Sequence, residues 1–166
     1  MLLHIVVVIH IAAGLTAVIS GAAAMLAPKR RGRHPRNGHV YLGALAVLTA
    51  TATALAIAKP HTAYLLIAGA VALAAAGYGW RARRLHQQGW RARHIIAMAL
   101  SYTAMLTAFY VDNGPRLPIW DRLPPLTFWF LPAAVALPLT LRALNRQAPH
   151  VVTRQRPDRP TGSGTA

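Results

Sequence analysis

Apolar side chains fill five stretches of this chain with no Asp, Glu, Lys or Arg among them: residues 1–28, 37–58, 60–80, 94–111 and 123–141. Each stretch is at least about 18 residues long, enough helix to cross a hydrocarbon core of about 30 Å. A soluble bundle would carry polar side chains at every third or fourth position of each helix. Here Ala, Gly, Leu and Val occupy every face. The pattern predicts an all-α fold, a polytopic transmembrane helical bundle of five spans at about 2–26, 40–58, 62–80, 94–111 and 123–141. These spans make one domain over residues 1–144.

The placement of charge turns this pattern into a topology. Fifteen of the eighteen Lys and Arg residues fall in three clusters, after the first, third and fifth spans. They are Lys29, Arg30, Arg31, Arg33 and Arg36; Arg81, Arg83, Arg84, Arg91 and Arg93; and Arg142, Arg146, Arg154, Arg156 and Arg159. One side of the membrane receives all three, and the excess of basic residues marks that side as cytoplasmic. Lys59, Arg116 and Arg122 lie on the other side, the last two offset by Asp112 and Asp121. The expected topology is therefore N-terminus outside and C-terminus cytoplasmic, in an inner (plasma) membrane. Ala22, Ala23 and Ala24 resemble a cleavage site, but no basic segment precedes the first span, so it is expected to be retained.

Aromatic residues fit two interfacial belts, with Tyr64, Tyr110, Trp120, Phe128 and Trp129 outside and Tyr41, Tyr78, Trp80 and Trp90 inside. The Pro-rich stretch 112–125 reads as an outer loop. Residues 145–166 read as a disordered basic cytoplasmic tail that lies on anionic headgroups. The formal charge of +15 is thus assigned to topology and to a bilayer with anionic lipids on its cytoplasmic face, not to nucleic acid.

Several chemistries are excluded by composition. The chain has no Cys, which rules out thiolate metal sites, iron–sulfur clusters and thiol catalysis. Its only acidic residues are Asp112, Asp121 and Asp158. Paired carboxylates, a Gly-rich phosphate loop and a Ser-His-Asp set that topology would allow to meet are all missing. No catalytic residue is expected, and an enzyme is the less favoured class.

What remains is packing and histidine. Small residues at helical spacing, Gly14 and Gly21 on the first span and Gly69 and Gly77 on the third, are expected to let helices approach closely. Pro132 and Pro138 predict a kink in the fifth span. His10 shares a face with Gly14 and Gly21, about 12 Å below the outer surface, where an imidazole needs a partner. The fourth span offers Ser101, Tyr102 and Met105 at a similar depth. A His10–Tyr102 hydrogen bond is the preferred pairing, with another Thr or Tyr as the alternative and His10–Met105 as a candidate ligand pair.

A second candidate group is His34, His39 and His94 at the cytoplasmic edge, whose ring nitrogens suit zinc, copper or haem iron. His10 and His94 are also weak metal candidates, but they differ in depth by about half a bilayer, so one haem is not expected to bridge them. A faint internal echo aligns His39 and Ala44 with His94 and Ala99. Parallel duplication of helix pairs would produce it, although similar loop composition is the preferred reading.

His10-Ile11-x-x-Gly14, Gly21, the basic loop over 30–41, His94, Met98, Ser101-Tyr102, Ala108-Phe109 and Pro132 together resemble an uncharacterised family of predicted bacterial integral membrane proteins, known only as a domain of unknown function. The resemblance covers about residues 1–145 and implies no established activity. His39 departs from that pattern, where Arg is expected after Gly38. Three classes of function follow as expectations. The first, and the preferred one, is a membrane accessory or assembly protein with a membrane-protein partner or as a homo-oligomer. The second is a haem- or metal-binding redox protein, with haem or a transition metal as cofactor. The third is a small oligomeric transporter or channel.

Overall fold

The computed structural model describes residues 1–28, 32–118, 120 and 122–146. It contains five α-helices: α1 (Leu2–Leu26), α2 (Arg33–Ala58), α3 (Leu65–Leu85), α4 (Trp90–Asn113) and α5 (Thr127–Asn145). No strand occurs among the described residues. All five helices are long and apolar enough to cross a membrane. Large apolar side chains such as Leu15, Ile19, Ile67, Leu137 and Leu139 face outward from the bundle, an arrangement suited to lipid and costly in water. The expected tail falls almost wholly outside the described residues, as do Lys29, Arg30, Arg31 and Asp121.

The helix boundaries differ from the charge-free stretches for local reasons. α2 starts at Arg33 and not near residue 40, because Pro35 occupies its first turn, where a missing N–H goes unnoticed. Gly32, at φ 125°, breaks the chain immediately before it. α5 starts four residues later than expected, since Pro124 and Pro125 keep the residues before them out of the helical region. α3 and α4 continue past their apolar segments, carrying Arg81, Arg83, Arg84, Arg91 and Arg93 on helical backbone. The turn between them uses left-handed residues, His86 at φ 47° and Gly89 at φ 73°.

The bundle is assembled from two tight hairpins, α1 with α2 and α3 with α4, with α5 packed on α4. The centre is a cluster of Ala17, Tyr41, Leu45, Ala72, Ala76 and Met105. Alanine and glycine dominate the buried faces because, without a hydrophobic drive between helices in lipid, close backbone approach supplies the attraction. α5 runs as one helix through Pro132 and Pro138. Its anchor is the buried Phe128 ring, laid over Gly114, where a Cβ would come within 2.6 Å of the ring.

The second hairpin repeats the first. Ala17, Ser20, Gly21 and Ala24 are buried on α1, and Ala72, Ala75, Ala76 and Gly79 are buried at the same spacing on α3. On α2 and α4 the series His34, Tyr41, Leu45 is matched in order and spacing by His94, Ser101, Met105. Matched positions also meet one another: the His34 and His94 rings are neighbours, Tyr41 bonds to Ser101, and Leu45 and Met105 share the central cluster. Self-meeting of equivalent positions is the property of a two-fold axis. The register pairs His34 with His94, which corrects the expected echo of His39 with His94.

Candidate functional site: a histidine pair at the basic end

Each hairpin fixes one histidine in the same way. His34, in the first turn of α2, donates from Nδ1 to the Ala24 carbonyl of α1 at 2.7 Å. His94, one turn into α4, donates from Nδ1 to the Gly79 carbonyl of α3 at 2.9 Å. Ala24 and Gly79 are themselves matched positions of the repeat. Gly79 makes a close approach here, since a Cβ there would sit 3.1 Å from Ala97 Cβ and 3.2 Å from Met98 Sδ. The two imidazoles stand with centroids 6.3 Å apart and planes at 80°.

Nδ1 donation to a carbonyl sets the tautomer, placing the proton of the neutral ring on Nδ1 and the lone pair on Nε2. Metal-binding histidines are commonly oriented by this kind of backbone bond. The 6.3 Å separation is that of an edge-to-face ring contact, and it is also short enough for one metal centre to be reached by both rings. No group of three or more His, Cys, Asp or Glu occurs among the described residues. The described residues therefore offer two neighbouring imidazoles, not a closed four-ligand cage.

His39 does not join this pair. Its Nδ1 bonds to Pro35 O of its own helix at 2.7 Å, and the side chain is exposed. Starting α2 at Arg33 rotates His39 off the face that carries His34, Tyr41 and Leu45.

The expected mid-membrane group separates into different contacts. His10 Nδ1 bonds to Thr51 Oγ1 on α2 at 3.0 Å, not to Tyr102. The Tyr102 hydroxyl donates instead to Val18 O at 3.0 Å, two turns deeper along α1. Eight residues of helix, about 12 Å, separate the two levels. At the depth of His10 the neighbour of α1 is its hairpin partner α2, so a Thr on α2 takes the bond. Ser101 is fully buried and pairs with Tyr41 Oη at 2.6 Å. Met105 packs in the apolar centre with Ala17, which lies two turns along α1 from His10.

Tyr41 is the residue that sequence reasoning misplaced most. Assigned to the inner belt, it is instead 1% exposed at the junction of the hairpins, with its ring 6.2 Å from that of Tyr102. Its distance from Arg33, two helical turns, would have been legible had Pro35 been taken as a first-turn residue. The expected packing glycines also divide. Gly21 lies under Tyr102, a Cβ on Gly14 or Gly69 would make only ordinary contact with Leu48 or Thr49, and one on Gly77 would meet nothing within 4 Å. Among the described residues no buried side-chain polar atom lacks a partner.

The Tyr41–Ser101 bond is expected to show a measurable coupling between the hairpins. In a double-mutant cycle of Tyr41→Phe and Ser101→Ala, read by unfolding in detergent, the coupling should be about 0.6–1.7 kcal/mol. Strict additivity of the two changes would show that the bond contributes nothing.

The fold and its site describe an all-helical bundle, with helices of membrane-spanning length and a fixed pair of imidazoles near its basic end. No protein-family model, curated protein or solved structure matches the chain.

Proposed function

We propose that this chain is a multi-pass inner-membrane protein that binds haem between His34 and His94 and serves one-electron transfer. The positive-inside bias supports an orientation with the N-terminus outside and the histidine pair near the cytoplasmic surface. Of the three classes, the redox class is favoured by one observation: two matched imidazoles, each fixed through Nδ1, lie with ring centroids 6.3 Å apart, close enough to hold one metal centre between them.

The composition of the site favours haem over a bare ion. A haem brings four equatorial nitrogens of its own and needs only two axial ligands from protein. Arg33 immediately precedes His34, and no described carboxylate lies at this end. A dication without carboxylate or thiolate partners is poorly served there, whereas the two propionates of a haem complement guanidinium groups. When bound, the haem supplies a reversible one-electron couple. The chain supplies the imidazoles and the backbone carbonyls that fix their tautomers.

The absorption spectrum of protein purified in detergent, after expression with haem precursor supplied, tests this directly. A Soret band with the sharp visible bands of a low-spin bis-imidazole haem on reduction is expected, at about one haem per chain. Colourless protein that also fails to take up added haemin would remove the proposal.

A further inference from the structure

The turn between α3 and α4 builds a second feature at the basic end, separate from the histidine pair. An open cavity of about 230 Å³ is lined by Tyr78, Arg81, Leu85, Gln87, Trp90 and Arg93. Four other charged or aromatic groups nearby are already committed. Arg84 lies over the Trp80 ring at 4.2 Å, and Arg91 over Trp90 at 5.6 Å. His86, in its left-handed conformation, stacks edge-on against Trp90 at 5.1 Å. These contacts hold the turn and leave Arg81 and Arg93 as the guanidiniums that border the cavity. Arg93 Nη1 donates to Gln87 Oε1 at 3.5 Å, which keeps its head group at the rim.

We infer that this cavity binds the phosphate of an anionic phospholipid headgroup. Two guanidiniums, an amide and a phenol offer several donors to phosphate oxygens, and planar Arg forks suit that geometry. No described carboxylate competes for them, because Asp112 stands at the far end of α4. Tyr78 is exposed about one turn before Arg81 on α3, on the side of the apolar part of the helix, while Leu85 closes the cavity at the helix end. That gradient, from charge to aromatic ring to apolar helix, is the one a lipid presents from headgroup to acyl chain. Basic pockets between transmembrane helices on the cytoplasmic side are recurrent sites for anionic lipids. The inference rests on the membrane reading above but not on haem.

Native mass spectrometry of the detergent-purified full chain tests it with phosphatidylglycerol and phosphatidylcholine added in equal amounts. The wild-type chain is expected to retain phosphatidylglycerol preferentially. In the double variant R81Q/R93Q that preference should fall by about fivefold for each guanidinium removed, about 25-fold in all. R142Q/R146Q, in the last turn of α5 and just after it, makes the same change in net charge and should keep the preference. Equal retention of the two lipids by wild type would overturn the site, and so would equal losses in both variants, which would signal diffuse attraction. Complete displacement of the lipid by about 10 mM inorganic phosphate would reassign the cavity to a soluble anion and also overturn it. Recovery of the chain in aqueous extracts without detergent would instead strike at the membrane reading itself.

Discussion

Replacing either His34 or His94 by Ala is expected to abolish the six-coordinate spectrum of the haem-loaded protein, and replacing both to abolish haem retention. In the proposed site each histidine would hold the haem iron, and His39, turned toward Pro35 of its own helix, stands in for neither. Loss of an outer hydrogen bond to a metal ligand already costs about 10–100-fold in affinity, so loss of the ligand itself should cost at least that. The single variants should therefore purify with little haem, or with a shifted, high-spin band from the remaining imidazole. His39→Ala serves as the control and should leave spectrum and stoichiometry unchanged. An unaltered Soret band in both His34→Ala and His94→Ala would exclude the pair as ligands, whatever else binds haem.

The second large effect is expected at Gly21, where the two hairpins touch most closely. A Cβ at this position would lie 2.6 and 2.8 Å from the Tyr102 ring and 3.1 Å from Tyr41. Neither ring can swing away cheaply. Tyr102 is tied to Val18 O, and Tyr41 is tied to Ser101 and almost fully enclosed. Gly21→Ala should therefore cost about 1–3 kcal/mol through overpacking. For a chain of this size that corresponds to a melting temperature lower by about 2–12 °C. Gly77→Ala is the matched control, because its Cβ meets nothing within 4 Å. There the removal of a helix-interior glycine should stabilise by about 0.5–1 kcal/mol. If Gly21→Ala melts no lower than Gly77→Ala, the rings are free to yield and the contact does not join the hairpins.

Much of the architecture was legible in the sequence. Five charge-free stretches predicted five helices, and the first matched to the residue at both ends. The errors came where a local rule has two readings. Pro35 and Gly38 read as loop residues, yet Pro is tolerated in a first turn, and the resulting shift of α2 carried Tyr41 from the membrane edge into the core. The His10–Tyr102 pairing failed because depth along a helix does not say which neighbour lies beside it. His10 looks across its own hairpin to Thr51, and no count of residues shows that. The histidine pair was present in the sequence as two members of a group of three. Selecting His34 over His39 required the face of α2 on which Tyr41 and Leu45 are buried. Small-residue stripes were likewise ambiguous about direction, so Gly77 was chosen where Gly79 makes the close approach.

The matched hairpins carry a consequence for how such a core can diverge. In a dimer of two identical hairpins, every residue on the axis faces a copy of itself. Two tyrosines at the position of Tyr41 would collide there, and two serines at the position of Ser101 would fall short of one another. One continuous chain lifts that restriction. It allows a long hydroxyl on α2 to meet a short one on α4, and Leu45 to meet Met105, while His34 and His94 stay identical. Covalent linkage of the halves thus lets the interior specialise around an axis whose one unchanged pair is the imidazoles.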